Sequence, residues 1–145
     1  MITHVVAHPA EARRFDVLGI GHTVLMSRSA TGDGLSLVRL DVPAGLGIPR
    51  HVHTREDEVF HVLAGTLEFT VADLSVAAAC GTTVFAPRDV PHSFRASGNG
   101  PASALVFVTP GNIETMFEEL SRLPSGPPDL ERVGQICRRY GISFV

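Results

Sequence analysis

Between residues 17 and 109 the chain alternates short apolar-rich runs with turn signals, and no helical periodicity interrupts them. "HTVLMSRSATGDGLSLVRLDVPAGLG" holds two such runs with Thr31-Gly32-Asp33-Gly34 between them. "DEVFHVLAGTLEFTVADLSVAA" follows, with turns at Ala64-Gly65 and Ala72-Asp73, and "CGTTVFAPRDVPHSF" and "ASALVFVTP" complete the series. Turns recurring every ~8–12 residues are the mark of an all-β sandwich or barrel. Strands that follow one another without crossover helices argue against a βαβ fold.

The last third changes period. In "NIETMFEELSRL", Ile113, Met116, Phe117, Leu120 and Leu123 fall on one helical face, with Asn112 placed as cap and Glu114 in the first turn, where the helix dipole favours an anion. After "SGPPD" a second helix is expected from about Leu130 to Tyr140. Asp129 would cap it, Leu130, Val133, Ile136, Cys137 and Tyr140 form its stripe, and Gly141 stops it. Both stripes read as packing surfaces over a barrel end or a partner subunit. The 145 residues thus make one domain: N-terminal strands over 1–34, the core barrel over 35–110, and helices and tail over 111–145.

Charge narrows the function classes. A net charge of −3 with scattered arginines lacks the concentrated basic face that nucleic acid or an anionic membrane requires. Cys80 and Cys137 form no CxxC pair and suit reduced, partly buried thiols. "MITHVVAHPAEARRF" lacks the apolar core of a signal peptide and no run is long enough to span a membrane, so the cytoplasm is the expected location.

The chemistry-bearing residues gather in "RHVHTREDEVFHVLAG". In an extended chain His51 and His53 project from one face. Glu58 opens the next strand and can rejoin them if the chain folds back, and His92 starts a later strand after a Pro-framed turn. Three imidazoles and a carboxylate suit a divalent first-row ion with positions left for water or substrate. Such binding weakens as imidazole protonates. The alternative is a solvated turn in which Glu56 and Asp57 pair with Arg50 and Arg55.

Glycine and proline spacing separates the two. The sequence resembles the cupin superfamily, whose first motif (Gly, five residues, HxH, four residues, Glu, six residues, Gly) is matched by Gly45, His51, His53, Glu58 and Gly65. Its second motif is matched by Gly81, Pro87 and His92, with Asp89 where the family has Gly and Ala96 where it has Asn. The resemblance implies a small jelly-roll barrel, His51, His53, Glu58 and His92 as ligands of Fe, Mn, Ni, Cu or Zn, and a homodimer. The ligand set is similar to that of cupin dioxygenases of the quercetin-dioxygenase type, which act on flavonols and related enols. The expected function is accordingly a metal-dependent dioxygenase acting on an enolic or aromatic small molecule. A non-oxidative isomerase, decarboxylase or hydratase, or a module that binds metal or ligand without converting it, is the alternative.

Strand alternation places Phe60 on the face of Glu58 and Phe94 on that of His92, and Phe69 on an apolar face of its own strand. These three are the expected pocket phenylalanines. His61 falls on the face opposite Glu58 and reads as a packing or interface residue. His4, His8 and His22 lack a carboxylate partner or a ligand spacing, and no Ser-His-Asp order is legible.

Overall fold

The computed structural model describes residues 4–110 and 112–145. Among the described residues eleven strands run in the order β1 (Arg13–Val17), β2 (Ile20–Met26), β3 (Ser36–Val42), β4 (Gly47–His53), β5 (Asp57–Ala64), β6 (Thr66–Val71), β7 (Leu74–Ala79), β8 (Thr83–Ala86), β9 (His92–Ala96), β10 (Ala102–Thr109) and β11 (Ile142–Phe144). Helices α1 (Ile113–Ser121) and α2 (Leu130–Arg139) lie between β10 and β11. The strands form two antiparallel sheets, one ordered β1-β2-β3-β10-β5-β8 and the other β11-β4-β9-β6-β7. The architecture is an all-β jelly roll with two C-terminal helices.

Period-two alternation decides what enters the space between the sheets. Glu58, Phe60 and Val62 of β5 are buried, as are Val38, Leu40 and Val42 of β3 and Leu67 and Phe69 of β6. Phe60, Phe69 and Phe94 meet with ring centroids 5.1–5.8 Å apart. Burial of each such ring contributes ~1.5–3 kcal/mol. Arg39 faces outward, where it pairs with Asp41.

The turns use left-handed backbone where the sequence allows it. Asp89, standing where the family motif has glycine, adopts φ +63°, and its N–H donates to the His53 carbonyl at 2.7 Å. Asp tolerates this conformation better than most residues. Ala96 is buried, and its backbone exchanges hydrogen bonds with the chain around Gly45: Ala96 N–H to Leu46 O at 2.8 Å and Gly45 N–H to Ala96 O at 3.2 Å.

Two helix details differ from expectation. Asn112 does not cap the α1 backbone; its Oδ1 accepts instead from the Thr115 hydroxyl at 3.1 Å. Glu114 does more than meet a dipole: it is buried and accepts from the Arg28 N–H and the Ser36 hydroxyl, both at 2.6 Å, and from Arg13 at 3.2 Å. It thereby pins the start of α1 to β1 and β3. Asp129 caps α2 by accepting from the Arg132 N–H, as the sequence predicts. Cys137 is buried, whereas Cys80 is exposed rather than half-buried. Among the described residues no helix is long and apolar enough to cross a membrane.

Candidate metal centre

β4 and β9 lie side by side in one sheet with His51 opposite His92, and β5 faces them from the other. The side chains of His51, His53, Glu58 and His92 are all buried, and one potential ligand atom from each lies within 4.8 Å of the others. Oε2 of Glu58 is 2.8 Å from His92 Nε2 and 3.4 Å from His53 Nε2.

Each imidazole is oriented through its other nitrogen. Nδ1–H of His51 donates to the Pro49 carbonyl at 2.7 Å, and that of His92 to the Val90 carbonyl at 3.3 Å. Nδ1 of His53 meets Glu56 Oε2 at 3.0 Å. All three Nε2 atoms are thereby turned to a common centre, the outer-shell pattern found around ligating histidines.

Glu56 is the residue that sequence reasoning missed. It is only 2 % exposed and serves His53, rather than joining a solvated acidic turn. Its only legible signal is its place three residues after His53, within a turn already rich in acids. The other members of the polar-turn alternative go elsewhere. Asp57 pairs with Arg88 at 2.8 Å, while Arg50 and Arg55 donate to the backbone carbonyls of Ala72 and Arg139.

The electrostatics fit a cation. Two carboxylates, Glu56 and Glu58, are buried with imidazoles as their partners, and among the described residues no arginine bonds to either. Buried charge without compensation is costly, so a divalent ion at this point would balance the pair. Burial opposes the charge of Glu58, but the surrounding His53, His92 and His51 outweigh it and hold the carboxyl down to about 2. Burial likewise disfavours charge on His53, yet Glu58 and Glu56 raise its pKa. His51 is pushed down to about 4, by burial first and then by His92. Glu56→Gln is expected to keep the fold and weaken metal binding ~10-fold or more, because His53 loses its charged acceptor; competition against a chelating indicator measures it.

Three members of the cluster, His51, His53 and Glu58, line a cavity of about 70 Å³. Its walls include Leu18, Leu40, Ile48, Phe94, Val106 and Phe144 from the strands and their ends. α1 contributes Ile113, Met116, Phe117 and Leu120, and α2 contributes Cys137, so the helices wall the pocket instead of only covering the barrel. The Cys137 thiol is pushed up to about 11 by burial and is therefore inert at neutral pH. Of the three expected phenylalanines, Phe94 lines the cavity, whereas Phe60 and Phe69 lie in the core behind it. His61 is on the outer face and bonds to the Thr83 hydroxyl at 2.8 Å.

His22 is also in the wall, where no spacing in the chain predicts it. Burial pushes its pKa from the ordinary 6.5 down to about 4. An unfolded chain therefore takes up a proton between these values and the native state does not, so stability falls as pH drops through that window. Above pH 6.5 both states are neutral, and below about 4 both are protonated. The loss from this residue approaches ~3 kcal/mol at the acid end. Urea unfolding of metal-free protein from pH 7 to 4 should show it, with a shallower slope for His22→Phe.

Comparison with known proteins agrees with this geometry. No curated protein matches the sequence. Among solved structures, KdgF from Halomonas sp. superposes with TM-score 0.68 at 19 % identity, over 78 % of this chain and 99 % of its own. A predicted oxalate decarboxylase from Thermotoga maritima gives TM-score 0.64 at 22 % identity, over 73 % and 99 %. The polyketide cyclase RemF from Streptomyces resistomycificus gives 0.61 at 21 %, over 74 % and 80 %. At such identities the likeness speaks for the fold. The family model described as "Cupin domain" matches residues 38–108, just under half of the chain, and that span contains all four clustered side chains.

Proposed function

We propose that this protein is a metal-dependent enzyme acting on a compact, largely apolar molecule that carries an enolic or phenolic oxygen, with dioxygenation as its reaction. One observation carries the reading: four donor side chains converge, and three of them, His51, His53 and Glu58, line an apolar cavity that no arginine lines among the described residues. His51, His53, Glu58 and His92 would hold a divalent first-row ion, which when bound supplies Lewis acidity toward a substrate oxygen and, if redox-active, access to dioxygen chemistry. The chain's own residues do the rest. Glu56 and the Pro49 and Val90 carbonyls keep the imidazoles in place, and the walls from α1 and β11 exclude water.

The walls also select. A sugar phosphate would need inward guanidinium groups, and Arg39, which lies within β3 between Val38 and Leu40, points outward. A cavity of about 70 Å³ favours a compact enol over a three-ring flavonol unless the helices move.

A second reading, non-oxidative turnover, is favoured by two of the structural neighbours, whose names denote a decarboxylase and a cyclase. Elemental analysis of untagged protein, followed by substrate screening with and without dioxygen, separates the readings. About one redox-active ion per chain with oxygen uptake supports the first. Turnover under strict anaerobiosis supports the second. Absence of bound metal after reconstitution would overturn both.

A further inference from the structure

The pocket contains one polar side chain that the ligand cluster does not use. His22 sits on β2, opposite Leu40 of β3, and is 5 % exposed. Its Nδ1 is 2.9 Å from the Ile20 carbonyl, an atom that can only accept, so Nδ1 carries the proton and Nε2 carries a lone pair. The ring is further held against Phe117, with centroids 4.5 Å apart. No protein group among the described residues donates to Nε2, and the residue borders the cavity. The only fully enclosed side-chain nitrogen without a hydrogen bond among the described residues is Arg28 Nε, so Nε2 of His22 keeps its access to the open space. Around it the wall is hydrocarbon and aromatic: Leu18, Leu40, Val106, Met116, Phe117 and Leu120.

A lone acceptor in an apolar wall is a costly feature unless something donates to it. We infer that His22 is the polar recognition point of this pocket: its Nε2 accepts a hydrogen bond from a hydroxyl or N–H of the substrate, whose other end reaches His51, His53, Glu58 and His92. The assignment rests on the pocket's being a substrate site, and it narrows the substrate class. The molecule has an apolar body and a hydrogen-bond donor at the end that meets His22. An analogue with only an acceptor at that position meets the Nε2 lone pair and is rejected. Low basicity fits this role, because burial keeps the imidazole neutral and its acceptor free at physiological pH.

The test uses two probes of equal size, 2-propanol, which donates, and acetone, which only accepts. Both are titrated into metal-loaded wild type, His22→Phe and His22→Gln, and binding is read from the methyl resonances of Ile113 and Met116. ¹⁵N resonances of His22 are read in the wild type. The expected results are Nδ1–H as the resting tautomer, a saturable Nε2 shift with 2-propanol and little with acetone, and a donor preference that falls about tenfold in His22→Phe. His22→Gln, whose amide oxygen can accept, should recover part of it. A proton on Nε2, an unchanged preference in His22→Phe, or no response of wild type to 2-propanol would overturn the assignment. Should His22→Phe fail to fold, His22→Gln and the wild-type tautomer decide. Metal content on the same samples keeps the two readings apart. A donor preference without bound metal sinks the enzyme proposal alone, and bound metal without the preference sinks the role of His22 alone.

Discussion

Glu58→Gln abolishes most of the thermal stabilisation that a divalent first-row ion gives the wild-type protein. The substitution conserves shape, so the apolar walls and the three imidazoles remain where they are. It removes the one anionic donor at the centre, which lies 2.8 Å from His92 Nε2 and 3.4 Å from His53 Nε2. Losing an outer-shell partner already costs ~10–100-fold in metal affinity, and losing a ligand charge costs more. With free metal at ~1,000 times the wild-type Kd, linkage adds ~4 kcal/mol to the native state, or about 10 °C in Tm for a domain of this size. Glu58→Gln should show about 2 °C or less at the same concentration. His61→Gln is the control, because His61 lies on the outer face and should retain the full shift. Equal shifts for Glu58→Gln and wild type would place the ion elsewhere and remove the basis for the proposed function.

How far the sequence could be read depends on whether a residue acts through spacing or through tertiary proximity. His51, His53 and Glu58 are close in the chain, and His92 follows a Pro-framed turn, so the resemblance to the two cupin motifs makes the four legible as one set in the sequence. Strand alternation correctly put Phe60 and Phe94 on inner faces. It says nothing about depth along the barrel, and so could not distinguish Phe94 in the cavity from Phe60 and Phe69 behind it. Glu56 looked like one more acid in an acidic turn because only the folded β4–β5 connection turns it onto His53. His22 lay 29 residues before the first ligand, and its place in the wall depends on β2 joining the six-stranded sheet. The tail "ISF" offered too short a pattern to read, yet it forms β11, pairs with β4 with Ile142 opposite His53, and supplies Phe144 to the cavity.

Gly47→Ala tests the link between barrel closure and the metal centre, and a loss of ~3 kcal/mol or more is expected. Gly47 belongs to neither family motif, yet it lies directly opposite Arg95 of β9. A methyl group there would lie 2.1 Å from the Phe94 carbonyl oxygen and 2.6 Å from the Arg95 Cα, and both atoms are backbone. Neither can rotate away, so relief requires the two strands to separate. The β4–β9 register is already interrupted between Ile48 and His51 around Pro49, which has no N–H to pair. Few bonds remain to resist the separation, and the same strands hold His51 and His92 with ring centroids 4.3 Å apart. The substitution should therefore lower Tm by roughly 10 °C and weaken metal binding together. Gly100→Ala, whose added methyl meets nothing within 4 Å, should leave both near wild type. Wild-type Tm in Gly47→Ala would contradict the close approach of β4 and β9. A destabilised variant that still binds metal with wild-type affinity would show instead that His51 and His92 are held together by the ion rather than by the strands that carry them.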